Sequence, residues 1–351
     1  MRTSGIGQRS CGALATFHAA LCSVLALAVS ATAAVADANA QWVEYGGEGP
    51  GKGKHVVLIA AYDNAYHPEE AMPQIGKILA QRHGFRCTVL FTVDPKDGNI
   101  ANVPNIPGLE ALKTADLMMV FARFCKLPDE QMQHIVEYVE SGKPIIGIRG
   151  STHAFALPAE SKFAKYGMGG SADYRGGFGR QVLGESWQGH HGTHGKEGTR
   201  GILVKEAADH PILKGIKDGD IWGATDVYVA KPLAPFTPLV RGQVLAGNTK
   251  TDAPPVEGKK NDPMMPVAWT RTYRTASGKD ARVFTTTMGA PQDFAVEGTR
   301  RMLINAVYWC MGMEDEIAAK SNVEIVGEFK PTPLGRSSGK SVKPADHAMP
   351  K

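Results

Sequence analysis

Cysteine is scarce in this chain: 5 in 351 residues, none in a C-x-x-C arrangement. That excludes a disulfide-built scaffold and a cysteine-based zinc module. Charge of either sign is thin, with a net charge of +4 and no basic stripe interleaved with aromatics. Nucleic acid is therefore not an expected partner. Neither H-E-x-x-H nor a zinc-finger spacing occurs. The nearest approach to a phosphate loop, Gly46-x4-Gly51-Lys52, has Gly53 where Ser or Thr is needed, and it precedes a strand instead of following one. No internal repeat is present, which excludes a solenoid.

Long apolar runs are also missing beyond the start of the chain. Arg2 and Arg9 open it, residues 11–29 are largely apolar, and His18 and Ser23 interrupt them. Such a run is poorly suited to a membrane anchor. Ala31-Thr32-Ala33 and Ala38-Asn39-Ala40 both fit an Ala-x-Ala cleavage site, so residues 1–40 read as a secretory signal. The expected location is secreted or periplasmic, with no stable membrane span after signal removal. About 310 residues then remain, enough for one large α/β domain with insertions. The expected division is a linker over 41–54, an α/β domain over 55–313, and an extended or disordered Lys/Pro-rich tail over 314–351. Cys87, Cys125 and Cys310 lie in or beside apolar segments and read as buried reduced thiols, although one bridge stays open.

What the chain does contain is an alternation of short apolar strands with helices. Residues 55–60, 87–91, 117–121 and 145–148 read as strands buried on both faces. Pro68-Glu69-Glu70 opens a helix to about Arg82, its acidic first turn suiting the helix dipole. Residues 128–141 form a second helix, with Met132, Ile135, Val136 and Val139 on one face and Gly142 to stop it. Later strands are expected at 227–229, 239–245, 267–270 and 281–289, followed by a helix over 294–311. The pattern predicts an α/β fold with a doubly wound, mainly parallel, flavodoxin-like sheet carrying loop insertions. Between 155 and 201 it dissolves into Gly, Tyr, His and Ser, the mark of a functional loop.

The organising stretch is Lys143 to His153. Its strand turns at Gly150, where Ser151 and Thr152 offer cap chemistry for a following helix. Gly147 suits a close approach by a neighbour. In an open sheet, side chains just past the strand ends share one crevice. Tyr62, Asp63, Arg123, Arg149, Ser151, His153 and the Gly289-Ala290 turn are placed there. Arg149 and Arg123 could orient substrate oxygens, with Tyr62 and Asp63 beside them; equally, Arg149 could pair with an acid such as Asp63 or Asp226. His153 could move protons with Asp226 or Glu185, or bind backbone at its turn. A second cluster, Glu185 to His194, brings three histidines within five residues. His190, His191 and His194 are the candidate ligands for zinc or another divalent metal. Trp187 could stack on a sugar ring or close over the core.

Several segments carry a family resemblance by their order and spacing: the first strand, Gly142-Lys143-Pro144-Ile145-Ile146-Gly147-Ile148, Asp209-His210-Pro211-Ile212 leading to Gly215-Ile216, Thr225-Asp226-Val227-Tyr228, Pro266-Val267-Ala268-Trp269-Thr270, and the strand from Arg282 to Gly289. Over residues 55–313 the chain resembles the ThuA-like (trehalose-utilisation) family, whose fold is that of class I glutamine amidotransferases. The Gly/His loop and the Lys/Pro tail are similar to the secreted version of the domain in planctomycete-type bacteria. Amidotransferases need Cys at the elbow, where this chain has Arg149. Many family members place His there and again after the late strand, where Ala290 stands. Glutaminase chemistry is therefore not expected. The resemblance implies a small-molecule carbohydrate ligand, including oxidised (keto) sugars or glycosides. The expected activity is that of a hydrolase, lyase or isomerase using acid–base, metal-assisted chemistry. A non-catalytic sugar-binding module is the alternative, and a homo-oligomer stays open.

Overall fold

The apolar runs of the sequence become the inner strands of a ten-stranded sheet. The computed structural model describes residues 40–336, 339 and 341–350; the expected signal, apart from Ala40, lies outside the described residues. The strands are β1 Trp42–Tyr45, β2 His55–Ala60, β3 Arg86–Phe91, β4 Leu117–Phe121, β5 Ile145–Ile148, β6 Gly198–Leu203, β7 Trp222–Gly223, β8 Thr237–Leu245, β9 Met265–Arg274 and β10 Asp280–Thr286. They lie in the order β1-β3-β2-β4-β5-β10-β9-β8-β6-β7. From β3 across to β10 the neighbours are parallel, and all the others are antiparallel.

The expectation of a mainly parallel sheet is thereby corrected: the fold is mixed α/β, with four parallel and five antiparallel neighbour pairs. The reason lies in the connections. A parallel neighbour needs a crossover of a dozen or more residues, usually a helix. After β5 no such helix separates β8, β9 and β10, so hairpin-type returns are what the chain can make.

Among the described residues four α-helices flank the sheet: α1 Pro68–His83, α2 Asp129–Glu140, α3 Pro291–Phe294 and α4 Glu297–Cys310. Val56, Leu58 and Ala60 of β2 point to the layer holding α1 and α4, and Val57 and Ile59 to the layer holding α2. This is the two-residue alternation of a strand buried on both faces. α1 starts with Pro68 and two acids, and it closes at Gly84 in the left-handed region (φ 79), whose N–H donates to Ala80 O.

Several local expectations change. The elbow after β5 is a 3-10 turn, Arg149–His153, and not the start of an α-helix. Residues 227–229 form no strand; Tyr228 makes an isolated bridge to His190. The expected 294–311 helix is split into α3 and α4 at Ala295 and Val296. Part of the expected linker pairs with β3 as β1. The tail lies irregularly along the domain: Tyr45 Oη donates to His347 O at 2.6 Å, and Ile100 N donates to Val342 O at 2.8 Å. No helix among the described residues is long and apolar enough to cross a membrane. Cys87, Cys125 and Cys310 are free, the first and last buried.

Candidate functional site

At the carboxyl end of β5 the chain turns through Arg149, which has a left-handed φ of 45° and is fully buried. A non-glycine residue in that region is strained, and such strain clusters at functional sites. Its partners come from the end of the neighbouring β10 and from two loops, the one before α1 and the one after β7. Arg149 Nη1 donates to Asp226 O at 2.6 Å and Thr287 O at 2.7 Å, and Nη2 to Asp226 Oδ1 at 2.8 Å and Tyr66 Oη at 3.3 Å. The guanidinium lies 3.7 Å from the Tyr228 ring centroid and 4.7 Å from that of Tyr66, a geometry that favours cation–π attraction. Arg149 as a substrate clamp is thereby corrected: at 0 % exposure no ligand reaches it. It is the structural partner of Asp226.

Asp226 is the node. Its side chain is buried, yet Oδ2 lies 2.7 Å from His190 Nδ1 and Oδ1 lies 3.1 Å from His194 Nδ1. Burial alone would raise this carboxyl. The Arg149 charge and the hydrogen bonds from His194 and His190 outweigh it and hold the pKa down to about 2. Thr225 fixes the segment: its Oγ1 donates to Asp293 Oδ2 at 2.6 Å, and Gly289 N donates to the same oxygen at 2.8 Å. The histidine loop is zipped onto the next residues, with His191 N and Gly192 N donating to Val227 O and Val229 N to Gly189 O. His190 and His194 thus reach Asp226 from outside, their side chains 32 % and 41 % exposed. One ligand atom from each of His190, His194 and Asp226 lies within 4.8 Å of the others. His191, expected among the metal ligands, is drawn elsewhere: its Nε2 meets Lys260 O at 2.8 Å. Asp226 takes the third position.

Around this node stands an aromatic wall. Trp187 lies 5.3 Å from His153 and 5.6 Å from His190, and Phe124 lies 4.8 Å from His153, all between ring centroids. His153 is buried, and burial first, then the charges of Arg123 and Arg149, push its pKa down to about 3. It is neutral across the physiological range and a weak base, which does not suit the proton-moving role expected of it. Arg123 and Asp63 form a two-point ion pair at the rim, with the Arg123 side chain 30 % exposed.

Other expected site residues are placed elsewhere. Glu185 accepts from Arg180, Ser186 N and Lys231 N, which holds the loop in shape. Ser151 Oγ donates to Val120 O, and Ala290 precedes α3. Tyr62 lines a different cavity, under the tail. The sequence reading missed Tyr66, Tyr228, Phe124 and the anchoring Asp293. Only Tyr228 had a signal, its place in the Thr225-Asp226-Val227-Tyr228 segment.

The fold is a mixed α/β sheet with a polar hollow at the end of its parallel half, assembled on a buried arginine–carboxylate pair. Residues 56–310 match the family model described as ThuA, trehalose utilisation, so the chain belongs to the ThuA family. The solved structures similar to this chain include two ThuA-like proteins. A putative ThuA-like protein from Parabacteroides merdae is 16% identical, with TM-score 0.46, over 84% of this chain and 99% of that one. One from Bacteroides uniformis is 13% identical, with TM-score 0.42, over 75% and 92%. No curated protein matches this sequence.

Proposed function

We propose that the hollow carries out acid–base chemistry on a sugar derivative, with His190 as the proton acceptor and Asp226 as its positioning carboxylate. The observation that carries this is the 2.7 Å contact of His190 Nδ1 with Asp226 Oδ2. With the carboxyl ionised, Nδ1–H donates, and the lone pair is left on Nε2, which makes no hydrogen bond among the described residues. That is the orientation a general base needs. Arg149 keeps Asp226 charged without touching substrate. Trp187 and Phe124 supply apolar faces for a pyranose ring, and the partly exposed Arg123 supplies donors for its oxygens. A sugar is the ligand class that the family description, trehalose utilisation, favours. Oxidised sugars and glycosides suit a base beside fixed cations, because a carbonyl acidifies the neighbouring C–H. The site would work in a secreted or periplasmic protein on an amidotransferase-like fold, without a thiol nucleophile.

The closeness of the His190, His194 and Asp226 ligand atoms favours a second reading, in which two imidazoles and one carboxylate hold zinc or another divalent metal that assists the same chemistry. A buried arginine at the elbow and Ala290 where a histidine is usual favour a third, a sugar-binding module without turnover.

A panel of keto-disaccharides and their parent sugars, assayed with and without chelator, separates these. Turnover that falls about 10²–10⁴-fold in His190→Ala and resists chelation supports the dyad. Loss on chelation, restored by one metal per chain, supports the metal. Calorimetric binding without turnover supports the module. Neither binding nor turnover across the panel would sink the assignment.

A further inference from the structure

A second group of ligating side chains lies at the start of α1, apart from the hollow and unused by it. His67 precedes the helix with a left-handed φ of 48°, and Glu69 and Glu70 form its first turn. One ligand atom from each lies within 4.8 Å of the others. Glu69 and Glu70 line a cavity of about 430 Å³ closed by the tail residues Thr332, Pro333, Arg336 and Val342.

Three features of the group ask for a cation. His67 Nε2 lies 2.8 Å from Arg336 O; a carbonyl only accepts, so Nε2 carries a hydrogen. Its Nδ1 faces Glu69 Oε1 at 2.9 Å, and in neutral imidazole that places a lone pair against a carboxylate oxygen. A second proton or a metal ion must therefore bridge them. A histidine whose far nitrogen donates to a backbone carbonyl is also the arrangement found at metal-bound histidines. Third, Glu69 is only 6% exposed and its Oε2 is buried with no hydrogen-bond partner, a costly state for a carboxylate. The helix N-terminus opposes a cation with about half a unit charge, and two carboxylates outweigh it. Two cationic side chains line the cavity: Lys330 is already paired with Glu328, and Arg336 makes no ion pair with Glu69 or Glu70 among the described residues.

We propose that His67, Glu69 and Glu70 form a divalent-metal site of the zinc or manganese class that fastens the C-terminal tail to α1. Glu70 already accepts from Thr332 N at 2.9 Å and Thr332 Oγ1 at 2.5 Å, and each carboxylate oxygen has a second lone pair for an ion. His67 reaches the tail through Arg336 O. Two of the three ligands therefore touch the tail, and an ion that rigidifies them also rigidifies it.

The test uses the full chain carrying His190→Ala and His194→Ala, which removes the imidazoles of the hollow and makes the outcome independent of the function proposed there. The protein is stripped with chelator and titrated with Zn²⁺ and with Mn²⁺ alone by calorimetry. One saturable ion per chain is expected, with slower tryptic cleavage after Arg336, whose carbonyl His67 holds, when it is bound. Glu69→Gln is expected to weaken binding at least tenfold, and Glu70→Gln to do the same if the first variant folds poorly by circular dichroism. No saturable binding by the parent would show that a proton, not a metal, bridges His67 and Glu69. Unchanged affinity in both glutamine variants would place the ion elsewhere. Either result overturns the proposal.

Discussion

Arg149 and Asp226 illustrate how burial divides labour between charges. The arginine is sealed in, so its effect on the hollow runs entirely through the carboxylate it holds ionised. His190, by contrast, is partly exposed and bears on stability little. Asp226→Asn should therefore cost about 3–5 kcal/mol in urea unfolding, because it leaves a buried guanidinium without its counter-charge. His190→Ala should change stability by no more than about 0.5 kcal/mol while removing turnover. Comparable stability losses in the two variants would contradict this division. His153 gives a pH signature. Its folded pKa is about 3, against an unfolded value near 6.5, so between those values the unfolded chain binds the extra proton. Stability then falls as pH drops through that window, by up to about 1.4 kcal/mol per unit. His153→Gln should flatten the slope of unfolding free energy between pH 6.5 and 4; an unchanged slope would mean the imidazole is protonated in the fold.

Among elements, the insertion over 155–201 is held to the sheet at two glycines. Gly147 in β5 leaves room for Leu183: a Cβ there would come 2.4 Å from Leu183 Cδ1. Leu183 O in turn accepts from Trp269 Nε1 at 2.9 Å and Thr285 Oγ1 at 3.0 Å. Gly179 lies against the elbow itself, where a Cβ would stand 2.0 Å from Thr152 O. Gly147→Ala should cost ~1–3 kcal/mol by overpacking, and Leu183→Ala in the same chain should recover part of that. Gly179→Ala meets backbone, which yields less, so it should cost more and displace the histidine loop. Both are checked by thermal unfolding, and the recovery by a double-mutant cycle. A sequence can mark Gly147 as a place of close approach, as this one does, but the residue that approaches comes from far along the chain.

The molecule as a whole joins a parallel half to an antiparallel half built of hairpins; the two share β10, parallel to β5 and antiparallel to β9, and the hollow lies past the carboxyl ends of β5 and β10. The tail covers the outer edge of the same parallel block, at β1 and β3: His347 stacks on Phe91 with ring centroids 5.4 Å apart, and its carbonyl accepts from Tyr45. Removing residues 327–351 should lower the melting temperature and raise binding of an apolar dye, since Phe91 and Tyr45 lose their cover. A truncated chain with an unchanged melting temperature would show the tail to be an appendage.

Much of this was legible beforehand for a simple reason. Four strands of the parallel half are short β-branched or apolar runs, with the amphipathic helices α1 and α2 in two of the three connections, and periodicity reports local structure well. The position of the elbow, the acidic first turn of α1 and family membership follow from such local patterns, as does the absence of a thiol at the turn. The antiparallel half was misread because a strand does not state the direction of its neighbour; the length and content of the connection do. What only the tertiary structure decided is which charges meet. Asp226 could have faced solvent, and His191 reads no differently from His190 in a run of Gly and His. Strand register and loop zippering brought Arg149, His190 and His194 to one carboxylate and turned His191 toward Lys260. Those contacts span 32 to 77 positions of chain, a separation across which residue spacing carries no geometric information.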